Sequence, residues 1–162
     1  MWLDYLGSKP ATMKNIFDPQ ITSELVARIN KLQPETPGLW GKMSVDQMLA
    51  HCCVAYDMAY TTKYPKPNPI MRFLLKTFVK KGVVNEVPYK KNIPTAPAFV
   101  IADRKNFEEE KSRLISYLEQ TVSLGIAHFE GKESLSFGPM TGQEWNNLFY
   151  KHLDHHLNQF GV

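Results

Sequence analysis

The stretch KHLDHHLNQFGV, residues 151–162, holds three of the chain's five histidines, His152, His155 and His156. It follows TGQEWNNLFY, which reads as the body of a helix. At about 100° per residue, His152, His156 and Gln159 share a narrow arc with Trp145, Leu148 and Phe149. Asn146, Asn147, Lys151 and Asp154 point elsewhere, so the histidine face is expected to be the buried one. Two polar rings in place of core leucines cost free energy unless they have partners. Histidines one helical turn apart can share a single ion, as in H-E-x-x-H, although the glutamate of that motif is missing here. The pair His152 and His155, three residues apart, could chelate as well, and helix geometry alone does not choose between His155 and His156. The plain alternative is packing or capping, since imidazolium suits the negative end of a helix dipole.

A third ligand from another element would turn a pair into a site. His51 is the candidate, in the helix VDQMLAHCCVAYDMAY, where Met48, Leu49, Cys52, Ala55, Tyr56 and Ala59 mark the core and His51 falls on the flank. Three neutral nitrogens leave coordination positions open, as in a catalytic zinc site. Such a site can acidify a bound water for hydrolysis or hold a bound thiol as thiolate. All-nitrogen ligation suits a divalent ion, Zn or Ni first, with Fe, Co or Mn also admitted. The neighbouring Cys52 reads as a small apolar filler. Tyr56 and Trp145 read as core, and Asp57 as facing solvent.

These residues need helices to position them, and the chain's punctuation supplies the boundaries. Asp18-Pro19 opens a first helix that runs toward Pro34. Ser44 and Gln47 form a capping box for the second, which stops before Tyr64-Pro65. After KYPKPNP, a shorter third helix covers IMRFLLKTFVKK. An extended connection, GVVNEVPYKKNIPTAPAFVI, leads to a fourth helix capped by Asp103 and ended by Gly125. Thr141 and Glu144 form a second capping box for the last helix, 142–160. Val83–Val84 and Phe99–Ile101 could make a short β pair. The expected architecture is all-α, a four-helix bundle with an additional short helix and a long extended connection. An N-terminal arm over 1–17 would pack Trp2 and Tyr5 against a domain spanning 18–162.

Composition narrows the function classes. The chain has 162 residues, a net charge of +3 and 43% hydrophobic residues, which is ordinary for a globular domain. The Lys and Arg residues come singly or in pairs along the sequence, so no nucleic-acid partner is expected. No segment approaches the roughly 18 apolar residues of a membrane span, and no membrane partner is expected. Cys52 and Cys53, adjacent on one helix, cannot pair without breaking it, which points to a reducing, cytoplasmic setting.

The segments LWGKMSVDQMLAHCCVAYDMAY, NIPTAP, SFGPMTGQEW and YKHLDHHLNQFGV resemble the DinB/YfiT-like superfamily, in its branch of uncharacterised bacterial domains. The resemblance spans about Leu39 to Val162. Its tail motif falls on His152, His156 and Gln159, and its helix-two histidine on His51. The resemblance therefore implies His51, His152 and His156 as ligands, with His155 left as a packing residue or alternative ligand. It also implies a metal-holding four-helix bundle, often a homodimer, whose characterised relatives include thiol S-transferases. The expectation is a metal-dependent enzyme joining a low-molecular-weight thiol to a small electrophile. The alternatives are a non-enzymatic metal-binding, sensor or assembly module, and a metal-dependent hydrolase. Gln159 is expected to steady an imidazole through its amide.

Overall fold

The computed structural model describes residues 13–162, and the expected packing of Trp2 and Tyr5 lies outside them. Among the described residues, five helices and one two-stranded ribbon make a mostly helical fold. Helix α1 spans Pro19–Asn30, with Asp18 accepting the Gln20 N–H and Pro19 in the first turn. Helix α2 spans Val45–Tyr60, and the Ser44 N–H donates to Gln47 Oε1 at 3.0 Å. Helix α3 is one continuous run: an α segment Pro69–Leu74, a π-helical turn Leu75–Val79 and a second α segment Lys80–Val84. Helix α4 spans Phe107–Phe129 and breaks at Gly125, where φ is 71° and ψ 166°. That is where glycine was expected to end it, because such a left-handed backbone is cheap only for glycine. Helix α5 spans Gly142–Gln159, with Thr141 Oγ1 and the Glu144 side chain completing the capping box.

Three local expectations are corrected. The cap of α4 is Asn106, not Asp103, because the Asn106 side chain accepts the Glu108 and Glu109 N–H groups. The β pair is Glu133–Ser134 with Gly138–Pro139, antiparallel, and does not involve Val83–Val84. Asn146, Asn147 and Lys151 are buried rather than turned outward.

That last correction follows from where α5 sits. It packs against α1, α2, α4 and the end of α3, so nearly its whole circumference is covered. Each buried polar group on it has a partner. Asn146 accepts the Ile16 N–H and donates to Lys14 O, while Asn147 donates to Val84 O. Lys151 Nζ donates to Gly82 O, Asn85 O and Asn85 Oδ1, each at 2.8 Å, and so closes the C-terminus of α3. Burial pulls its ammonium down to about 8, still charged at neutral pH.

The apolar core lies between α1, α2, α4 and α5. Leu25 and Ile29 meet Leu114 and Leu118 there, together with Met48, Leu49, Phe149 and Leu153. Ile16 and Phe17, placed in the arm by the sequence, are part of it. Tyr56 lies stacked between Tyr117 and Phe149, with centroids 5.5 and 4.6 Å away. Cys52 and Cys53 are buried and free. Burial pushes the Cys52 thiol well up and the Cys53 thiol up to about 12, so neither offers a thiolate at neutral pH.

Candidate metal centre

Helix α2 delivers His51 from its middle, and α5 delivers His152 and His156 from its last two turns. One ligand nitrogen from each of the three lies within 4.8 Å of the others. Ring centroids are 4.9 Å apart for His51 and His152, 4.5 Å for His51 and His156, and 4.9 Å for His152 and His156. Residues separated by about a hundred positions in the chain thus meet at one point, as the ligand expectation requires.

Hydrogen bonds on the outer sides of the rings set their tautomers. His51 Nδ1 is 2.8 Å from Phe99 O, and His156 Nδ1 is 2.7 Å from Gln159 Oε1. Both acceptors demand a proton on Nδ1, which leaves Nε2 of each ring with a free lone pair. Gln159 is in turn fixed by its Nε2, which donates to Trp40 O at 2.8 Å. The amide role expected of Gln159 is therefore visible in its contacts.

His51 Nε2 and His152 Nε2 face each other at 3.0 Å. Two lone pairs at that distance repel, so either a proton or a cation must lie between them. Nitrogens bonded to one ion at about 2.0–2.1 Å stand about 3.0–3.4 Å apart. His51 and His152 already have that spacing, and a ring nitrogen of His156 lies within 4.8 Å of theirs. A charged imidazolium is disfavoured there, because burial, reinforced by His156, His51 and His155, holds His152 well below the ordinary imidazole value. Without an ion, the neutral Nε2–H tautomer of His152 donates to His51 Nε2. Burial takes His156 down to about 3, and lowers His51 against the pull of the Phe99 carbonyl. Three neutral imidazoles whose ring nitrogens converge are a donor set that could hold a metal ion.

His155 stands outside the cluster. Its ring meets the edges of Trp40 and Tyr89, at 5.8 and 5.7 Å. It lines a separate cavity of about 180 Å³ with Lys91, Lys151 and Asp154. Asp57, expected to face solvent, is 2% exposed. It accepts from Arg113, Tyr117 and Lys63, an ion-pair network joining α2 to α4.

Phe99 is the residue the sequence reading missed. Its ring packs on His51 at 5.4 Å and on His152 at 5.7 Å, while its carbonyl orients His51. The short 3₁₀ turn Pro97–Phe99 aims it there. Asp46 anchors the following strand of connection through Arg104 and the Lys105 N–H, and Gln47 donates to Ala102 O. The segment touching the histidines is this connection. A proline opening a turn inside NIPTAPAF was the available signal, but no side-chain pattern announces a carbonyl.

Residues 17–161 match a family model described as "Protein of unknown function (DUF1569)". No curated protein and no solved structure matches significantly. Among the described residues, no helix is long and apolar enough to cross a membrane.

Proposed function

The chain belongs to the DUF1569 family, and from that premise we propose that it is a divalent-metal-dependent enzyme of the DinB/YfiT-like, four-helix-bundle kind. It joins a low-molecular-weight thiol to a small electrophile such as an alkyl halide or epoxide. The observation that carries this reading is the pair of facing nitrogens, His51 Nε2 and His152 Nε2, with His156 beside them.

His51, His152 and His156 would hold the ion. A divalent ion there lowers the pKa of a coordinated thiol or water, so that it is held as an anion at neutral pH. The Phe99 carbonyl and the Gln159 amide keep the lone pairs aimed inward. The Phe99 ring excludes water from one side of the cluster. In the transfer, the thiolate sulfur forms a bond to the electrophilic carbon. With a halide, the carbon–halogen bond breaks with its electron pair and the thiol proton passes to solvent; with an epoxide, the carbon–oxygen bond breaks and the ring oxygen takes up a proton. Zn or Ni suits three imidazoles, and Fe, Co or Mn fits the same donors.

One observation favours a second reading, a metal-binding sensor or assembly module. Phe99 lies against both His51 and His152, and a side chain in that place can shut the open positions.

Metal analysis of untagged protein against His152→Ala tests the shared premise. The expected result is close to one divalent ion per chain in wild type and a loss of at least about tenfold in the variant. Equal content in both refutes the site. Zinc-loaded protein consuming a thiol with an alkyl halide, and His152→Ala failing to, then separates enzyme from module.

A further inference from the structure

Helix α3 has no buried residue at all. Its inner positions, Arg72, Leu75, Lys80, Val83 and Val84, are only half covered, and its outward stripe is apolar. Ile70 is 77% exposed, Phe73 65% and Phe78 74%, and Met71, Leu74 and Val79 are exposed beside them. Single exposed apolar residues are ordinary, but six on one helix with two phenylalanines among them mark a contact surface.

Charge identifies what would cover it. Residues 61–91 carry eight of the chain's 19 Lys and Arg and one of its 16 Asp and Glu, so the remainder of the chain is acidic overall. Cations that read as scattered pairs along the sequence are concentrated on and around α3. Glu133 answers Lys66 and Arg72, Glu144 answers Lys80, and Asp57 answers Lys63. Lys76, Lys81 and Lys90 make no ion pair among the described residues, and all three are exposed.

We propose that α3 is a membrane-docking element, lying in the headgroup region of an anionic lipid bilayer with Ile70, Phe73 and Phe78 inserted and Lys76, Lys81 and Lys90 on the lipid charge. A basic helix with an aromatic apolar face is suited to that interface. A second copy of the chain fits less well, because a two-fold contact through this face would set the same cations against each other. That no helix among the described residues is long and apolar enough to cross a membrane does not bear on this mode, in which nothing crosses the bilayer.

Sedimentation of the full chain with vesicles tests the proposal. Vesicles of phosphatidylcholine with phosphatidylserine should bind it at least about tenfold better than phosphatidylcholine alone, with the difference lost at high salt. Phe73→Ser with Phe78→Ser should cut binding by about tenfold or more while leaving helical content and metal content unchanged, since neither residue touches a histidine. Lys76→Glu with Lys81→Glu should cut it by more than about 25-fold, at about fivefold per lysine lost before reversal is counted. No sedimentation with either vesicle overturns the proposal, as does equal binding to both. Light scattering in which the phenylalanine variant turns a wild-type dimer into a monomer, without vesicle binding, assigns the face to a second copy instead.

Discussion

Gly41 offers a way to disturb the metal centre without touching a ligand. It sits at φ +79°, and a Cβ placed there would lie 2.6 Å from Gln159 Nε2. In Gly41→Ala the Gln159 amide must therefore swing away, giving up both its bond to Trp40 O and its grip on His156 Nδ1. The left-handed backbone costs an alanine roughly 1–2 kcal/mol. Each buried hydrogen bond lost costs about 1 kcal/mol, so the fold should weaken by about 3 kcal/mol in urea unfolding. The larger signal is in the site: an imidazole without its orienting partner loses about 10- to 100-fold in metal affinity. Zinc competition against a chromophoric chelator measures this directly. Gly161→Ala is the control, with φ +73° but its nearest neighbour, Leu39 Cδ1, at an ordinary 3.7 Å. It should show the backbone cost and keep the affinity. If Gly41→Ala binds zinc within about twofold of wild type, or Gly161→Ala loses as much, Gln159 is not orienting His156.

Further outcomes follow from the same contacts. Without metal, His156 at about 3 and the lowered His51 and His152 are neutral in the fold but titrate normally when unfolded. The unfolded state thus takes up more protons as pH falls below about 6.5, and stability should decline at up to about 1.4 kcal/mol per pH unit per histidine. Urea midpoints of the apo protein at pH 7.5 and 5.5 check this, and excess zinc should raise both midpoints while leaving the decline between them. Asp57→Ala removes the acceptor shared by Arg113, Lys63 and Tyr117. The cost should be about 2–4 kcal/mol, less than for a fully buried pair because the Arg113 side chain is 33% exposed. Lys151→Met strands two carbonyls at the end of α3 and should cost about 2–3 kcal/mol by chemical denaturation.

Helix starts were legible in the sequence where proline or a reciprocal cap marks them, as at Asp18-Pro19 and Thr141 with Glu144. The start of α4 was misplaced because Asp103 and Asn106 are both good caps, and only the fold shows which side chain the first turn meets. The reading of α5 failed differently. Periodicity assigns one buried face, but a helix surrounded by four others buries Asn146, Asn147 and Lys151 to satisfy carbonyls and N–H groups of chain segments that end against it. At the site, the spacing of the C-terminal histidines carried a pair and the second helix offered His51, while the resemblance preferred His156 to His155. The structure brings those three rings into one cluster that could hold an ion. Phe99 and Trp40 act there through their carbonyl oxygens, which no residue type encodes.

That last circumstance has a consequence for how the site can change over time. The outward hydrogen bonds of His51 and His156 end, directly or through Gln159, on peptide oxygens of Phe99 and Trp40. Every amino acid brings such an oxygen, so the loops carrying these two residues are free to exchange side chains while the imidazoles stay aimed. What those loops must keep is their path through space. Insertions, deletions and lost turns near residues 40 and 99 should therefore be far more damaging than point substitutions at the same places.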